Sequence, residues 1–371
     1  MKPLGFGLMR LPLTDAADPT SIDIEHVKTM VDLFLERGFT YFDTAYTYHG
    51  GRSEAAFRMA VSSRYPRERF SITDKMPCWA VNTVDDLERI FNEQLERCGV
   101  EYFDYYWLHC LNVENVRRMD RVDGWGFIAR KKAEGYIKHI GFSFHDESAL
   151  LARLLDEHPE IECVQLQINY LDWDSPTIEA ATCYDLCVKH RKKVIVMEPV
   201  KGGSLATVPP EVARLFEQRN PGASPASWAV RYCASLPEVI MVLSGMSNLE
   251  QVDDNTGYMQ RFVPFDESEH DIVKRAAAII KEAIAIPCTA CHYCTDGCPQ
   301  GICIPEYFHI YNTLHYFGET QRINTTTYYG VLSKSHGKPG DCIECGQCEA
   351  HCPQHIDIID NLKLVAERFE F

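Results

Sequence analysis

The feature that most constrains this chain is a repetition. Eight times before residue 250, a short, nearly all-apolar segment runs into a loop and then into an amphipathic stretch. The apolar segments lie at 4–10, 41–45, 71–76, 102–109, 137–144, 164–170, 194–199 and 239–245. Between them, Ile24, Val27, Val31, Phe34 and Leu35 share one helical face before Gly38. Val84, Leu87, Phe91 and Leu95 do the same before Gly99, and Leu150, Leu151, Leu154 and Leu155 follow the fifth segment. Strands that are apolar throughout and alternate with helices call for a parallel sheet with its outer face covered. Eight such units in ~250 residues match the size of a closed (β/α)8 TIM barrel. An open doubly wound sheet is the competing α/β architecture, but no Gly-x-Gly-x-x-Gly turn follows any of the strands.

In a barrel of this kind, catalytic groups sit at the carboxyl ends of the strands. The second segment ends in Asp43, with Tyr48 five residues on; the third ends in Lys75 and the fourth in His109, followed by a longer loop to Gly124. These side chains suit carbonyl reduction, which needs a hydride on carbon and a proton on oxygen. Tyr48 is the proton donor to expect. A free phenol, with a pKa of about 10, is a sluggish acid at neutral pH. An adjacent Lys75 ammonium would lower that value, Asp43 would pair with Lys75, and His109 would orient the substrate oxygen. Four aromatics, Tyr46, Trp79, Trp107 and Trp173, lie at or just beyond strand ends, and one or two of them are expected to reach a substrate. Arg117, Arg118 and Arg121 read as a solvated basic face, with contact to an acidic substrate as the alternative.

Asp43, Tyr48, Lys75 and His109, in this order and spacing, resemble the tetrad of the aldo-keto reductase superfamily. The flanking segments agree: Gly141-Phe142-Ser143, the run from Gln165 to Tyr170, the run from Met197 to Gly203, and Ser244-Gly245-Met246-Ser247 leading to Asn255. The resemblance covers residues 1–265 and implies an oxidoreductase that uses NAD(P)H on a small carbonyl or alcohol. It implies that Ser143 and Gln167 hold the nicotinamide carboxamide. The loop Lys201-Gly202-Gly203 would pass the pyrophosphate, with Ser247 and Asn255 near the adenosine end. Gly245 and Gln251 stand where NADP-preferring members carry cationic side chains, so NADP and NAD both remain open.

Of the 16 cysteines, Cys78, Cys98, Cys110, Cys163, Cys183, Cys187, Cys233 and Cys303 are scattered singly and read as core or surface thiols. The other eight form two copies of one pattern. Cys288-x-x-Cys291-x-x-Cys294-x-x-x-Cys298-Pro299 is followed 44 positions later by Cys342-x-x-Cys345-x-x-Cys348-x-x-x-Cys352-Pro353. This is the spacing of two-cluster 4Fe–4S ferredoxins, in which the fourth cysteine of each motif ligates the other cluster. Cys288, Cys291, Cys294 and Cys352 would hold one cluster, and Cys298, Cys342, Cys345 and Cys348 the other. A zinc site needs four thiolates, usually as two CxxC pairs, and leaves the third repeat and the Cys-Pro unexplained.

The insert between the motifs, with a helical stretch from Pro305 to Asn312, resembles the helical ferredoxin module of succinate-dehydrogenase-type iron–sulfur subunits. The whole chain resembles ferredoxin-tailed aldo-keto reductases. We therefore expect a barrel over residues 1–285 and a small, mostly helical ferredoxin-like domain over 286–371.

A net charge of −16 argues against nucleic-acid and anionic-membrane partners. The absence of a long apolar run and of an export signal points to a cytoplasmic protein. Residues 286–371 carry 5 Lys and Arg against 10 Asp and Glu, an acidic face that would suit a basic redox partner protein. Clusters move single electrons, whereas nicotinamides move hydride. A flavin would join the two, but no flavin motif is present. Two other readings follow: a ferredoxin- or flavin-linked reductase fed by the clusters, and a non-catalytic redox sensor or electron-transfer subunit.

Overall fold

A computed structural model describes residues 2–175, 178–317 and 322–370. Eight parallel strands close into a barrel in chain order: β1 (Leu4–Gly7), β2 (Tyr41–Asp43), β3 (Ser71–Pro77), β4 (Phe103–Leu111), β5 (Ile137–Phe144), β6 (Cys163–Gln167), β7 (Lys193–Met197) and β8 (Val239–Ser244). β1 pairs with both β2 and β8, which closes the cylinder and leaves no strand edge open. Helices such as Ile24–Glu36 and Val84–Cys98 cover its outer face with the apolar stripes read from the sequence. Thr83 and Asp86 form a reciprocal capping box at the start of the second of these, and Gly99, at φ 65°, ends it.

Inside the cylinder, Tyr41, Trp107, Cys163, Ile195, Met241 and Leu243 form a fully packed cluster. Trp107 therefore belongs to the barrel core, and of the four aromatics it is not one that would reach a substrate. It can lie there because residue 141 is glycine. A Cβ at Gly141 would come within 2.4 Å of the Trp107 ring and 2.3 Å of the Cys163 carbonyl oxygen.

A correction to the sequence reading concerns the segment after His109, which is a helix (Val113–Arg121) and not a loop. Its N-cap is Asn112, whose side chain accepts from the Asn115 N–H at 2.9 Å. Arg118 and Glu114 pair along the helix, and Arg118 also donates to the Trp79 carbonyl at 2.9 Å. This arginine holds a neighbouring turn in place.

The chain forms two compact units. The first contains all eight strands; the second takes in Val200–Pro225 and the chain from Glu267 onward. The helices Pro210–Arg219 and Glu267–Ala283 belong to the second unit. Its core gathers Ile286, Ile302, Ile304, Tyr307, Phe308, Ile358, Leu362 and Val365, drawn mainly from the helices Ile304–Phe317 and Ile358–Phe369. The Asn312 side chain closes the start of this region. It accepts from the Ile286 N–H at 2.8 Å and donates to the Ile286 carbonyl at 2.7 Å. No helix among the described residues is long and apolar enough to cross a membrane.

Candidate functional site

The parallel register brings the polar strand ends together. Asp43 pairs with Thr73 across β2 and β3, while Lys75 and Pro77 pair with Trp107 and His109 across β3 and β4. Lys75 Nζ lies 2.5 Å from Asp43 Oδ1 and 2.7 Å from the Thr44 carbonyl oxygen, with both charged side chains almost fully buried. The Tyr48 hydroxyl is 3.5 Å from Lys75 Nζ, and the rings of Tyr48 and His109 meet edge to face at 6.0 Å. Trp79 closes on the other side of His109, with its ring at 5.0 Å. A register shift between Leu108 and Leu111, with Cys110 at φ 58°, marks a bulge beside His109 and re-aims that side chain relative to a regular strand.

Electrostatics assign a protonation state to each group. Burial, reinforced by the nearby Lys75 charge, pushes the His109 imidazole well below its ordinary range, so it is neutral. Its Nδ1 is buried without a hydrogen-bond partner. Burial raises the Asp43 carboxyl while Lys75 draws it back down. The Tyr48 phenol is pushed well above its ordinary value, first by desolvation and then by the Asp43 charge. The sequence reading had Lys75 lowering that value. With the ammonium committed to Asp43 and Thr44, desolvation is the larger effect, and the phenol holds its proton.

Several supporting residues escaped the sequence reading. Gln94 donates to the Lys75 carbonyl at 2.9 Å and accepts from the Tyr106 hydroxyl, fixing β3 from outside the barrel. Asp74 caps the Lys75 N–H at 2.8 Å; it and Glu54 are buried carboxyls, both pushed upward first by desolvation. The available signal was Gln94 itself, a polar residue buried beside Phe91 and Cys98 in an otherwise apolar stripe. Of the remaining aromatics, Tyr46 turns outward to donate to Glu93 at 2.8 Å, and Trp173 packs on Tyr184 and Tyr232.

The residues expected around a nicotinamide fall into three groups. Ser143 and Gln167 are buried at the ends of β5 and β6. Ser143 Oγ accepts from the Cys110 N–H at 2.7 Å, which leaves its own hydroxyl hydrogen to donate. Gln167 and Asn169 both reach Asp172, at 3.3 and 2.9 Å. Beyond β8, Ser247 donates to the Arg10 carbonyl, while Asn255 bonds Ser244 and Tyr258. Ser247 thus ties the loop after β8 to the turn after β1, and Asn255 braces the end of β8 against its own helix. Lys201, Gly202 and Gly203 belong to the second unit.

In that second unit the eight motif cysteines divide between two cavities. One is lined by Cys288, Cys291, Cys294 and Cys352, the other by Cys298, Cys342, Cys345 and Cys348. The two cysteine loops turn alike. Ala290 and Glu344, each two residues after the first cysteine of its motif, have φ of 50° and 56°, which directs their N–H groups at the Cys288 and Cys342 sulfurs. Among the described residues, no group of three or more His, Cys, Asp or Glu converges as a single metal ion requires. Thiols that ring a cavity, backed by N–H donors to sulfur, suit a cluster with several metals.

The model of the aldo/keto reductase family matches residues 3–278. The chain belongs to the aldo/keto reductase family. A 4Fe-4S dicluster domain matches residues 287–356, so this aldo/keto reductase is an oxidoreductase with an iron–sulfur tail. It is 26% identical over 232 residues to an aldo-keto reductase of Mycobacterium avium, covering 62% of this chain and 75% of that one. It is 25% identical over 274 residues to the L-galactose dehydrogenase of Arabidopsis thaliana, covering 68% and 82%. Among solved structures, the holo form of an aldo-keto reductase from Bacillus halodurans superposes with a TM-score of 0.57 at 21% identity, over 74% of this chain and 91% of that one. An aldo/keto reductase from Klebsiella pneumoniae in complex with NADP and acetate gives 0.57 at 18%, over 74% and 90%. Both solved structures share the barrel fold.

Proposed function

We propose that this enzyme reduces a carbonyl group on a small molecule, or oxidises the corresponding alcohol, using a nicotinamide cofactor in the barrel and two 4Fe–4S clusters in the tail. The observation that carries this reading is the convergence of Asp43, Lys75, Tyr48 and His109 at the carboxyl ends of β2, β3 and β4. When bound, the nicotinamide supplies or takes the hydride. The protonated Tyr48 phenol gives its proton to the carbonyl oxygen as the alcohol forms. The Lys75 ammonium, 3.5 Å away, stabilises the phenolate this leaves, so its effect is felt in the transition state more than at rest. Asp43 keeps that ammonium in place, and neutral His109 orients the carbonyl oxygen.

Ser143 and Gln167 are the residues we assign to the carboxamide. The NADP complex of the Klebsiella relative supports a nicotinamide, and the choice between NADP and NAD goes to measurement. The division of the eight cysteines between two cavities supports the crossed ligand sets. In this reading residues 1–285 carry the hydride chemistry, and residues 286–371 hold the clusters and present an acidic face to a redox partner.

The test is turnover by anaerobically purified protein with a panel of aldehydes and ketones, followed by oxidation of NADPH or NADH. Replacing Tyr48 by Phe should lower kcat by about 10²–10⁴-fold, the usual size of general acid catalysis, while cofactor affinity changes little. Undiminished turnover in the variant would end the assignment, and turnover only with reduced viologen would end the nicotinamide reading.

A further inference from the structure

The loop Lys201-Gly202-Gly203 has an unusual form. All three residues have positive φ, at 47°, 64° and 103°, and Lys201 is almost fully buried. The loop packs directly on the first cysteine motif. A Cβ at Gly202 would lie 2.1 Å from the carbonyl oxygen of Thr289, the residue after Cys288. Lys201 Nζ lies 3.2 Å from Oε1 of Gln354, two residues after Cys352. Thr289 and Gln354 both line the cavity of Cys288, Cys291, Cys294 and Cys352, and neither lines the other cavity. On the same rim, His292 faces Glu306 at 3.6 Å. The second cavity is lined by its cysteines and by apolar, amide and glycine residues, none of them charged.

We propose that Lys201 tunes the first cluster, its ammonium raising the reduction potential of the group held by Cys288, Cys291, Cys294 and Cys352 relative to its neighbour. This rests on the two-cluster reading above. The physical argument is one of sign. A cube with four thiolates gains one negative charge on one-electron reduction, and a nearby buried cation stabilises the more negative state. The two clusters are then unequal, and the one beside Lys201 is reduced first.

The experiment is a mediated dithionite titration of the holoprotein followed by electron paramagnetic resonance, with iron and sulfide counted beforehand. Lys201→Met should move the more positive midpoint downward by about tenfold in the one-electron equilibrium, a displacement of ~59 mV, and leave the other in place. Lys201→Arg should restore it. Gln354→Glu, which keeps the lysine but gives its ammonium a carboxylate counter-charge at the contact it already makes, should lower the same midpoint, and it decides the matter if the methionine variant loses its clusters. Full iron content with unmoved midpoints, or equal movement of both, would overturn the role of Lys201 alone. An iron count well short of about eight per wild-type chain would overturn the two-cluster reading and this proposal together.

Discussion

In the barrel, the buried ammonium of Lys75 meets its counter-charge directly, in Asp43 at 2.5 Å, on strands that apolar packing has already fixed in register. In the second unit, eight thiols face two cavities, and the apolar core beside them is largely two helices and the turns that carry the cysteines. The first arrangement pairs one protein charge with another. The second presents its thiols as ligands, four at each of two sites. The difference teaches where each unit draws its stability: the barrel from burial of its own side chains, the tail in large part from what its thiols bind.

The strongest test of that contrast is removal of the iron. Anaerobic chelation should strip hydrogen-exchange protection from the helices Ile304–Phe317 and Ile358–Phe369, while β2 to β5 stay protected. Protection retained in both helices after the iron is gone would show that the apolar core suffices, and the contrast would fail.

A smaller effect is expected within the barrel. Lys75→Met leaves Asp43 buried without its partner, and breaking such a pair costs about 3–5 kcal/mol. Urea unfolding of the barrel should show that loss while iron content stays at the wild-type level. A loss below about 1 kcal/mol would mean that water or rearrangement compensates the carboxylate.

How much of this could be read in advance follows from the range of the interactions. The eight strands, the capping of their helices and the cysteine motifs depend on residues within a few positions of one another, and all are legible in the chain. So are Asp43, Tyr48, Lys75 and His109 as candidates, because each closes or follows an apolar strand. The resting state of Tyr48 was not legible, since it depends on how deeply the phenol is buried at the ends of β2, β3 and β4. Which of the four strand-end aromatics is core was not legible either, since Trp107 fits inside the barrel only because Gly141 on the neighbouring strand makes room for it. The resemblance places the Lys201 loop near a pyrophosphate, yet its ammonium meets a glutamine 153 residues away, and no local pattern encodes that contact. The Asn112-capped helix is the exception, a local signal that was present and passed over.

The smallest predicted effect concerns pH. In the proposed mechanism, reduction requires Tyr48 protonated and His109 neutral. The Tyr48 phenol is raised above its ordinary value of about 10, so the alkaline loss is displaced to still higher pH. His109 is lowered below its ordinary value of about 6.5, so the acidic loss moves to lower pH. kcat/KM for reduction should therefore vary by less than about twofold between pH 6 and 9. An acidic limb centred near 6.5 would show that His109 is exposed to water, contrary to its burial in the barrel.

The most direct measurement follows one atom. Reduced nicotinamide carrying deuterium at C4 is given to iron-replete enzyme with an aldehyde, without oxygen, and the product alcohol is examined by mass spectrometry and NMR. The account predicts deuterium on the carbinol carbon and none there from solvent when the labels are reversed. Hydrogen from solvent at that carbon would mean that it arrives by single electrons or through an exchangeable carrier such as a flavin, and the barrel chemistry described here would be contradicted.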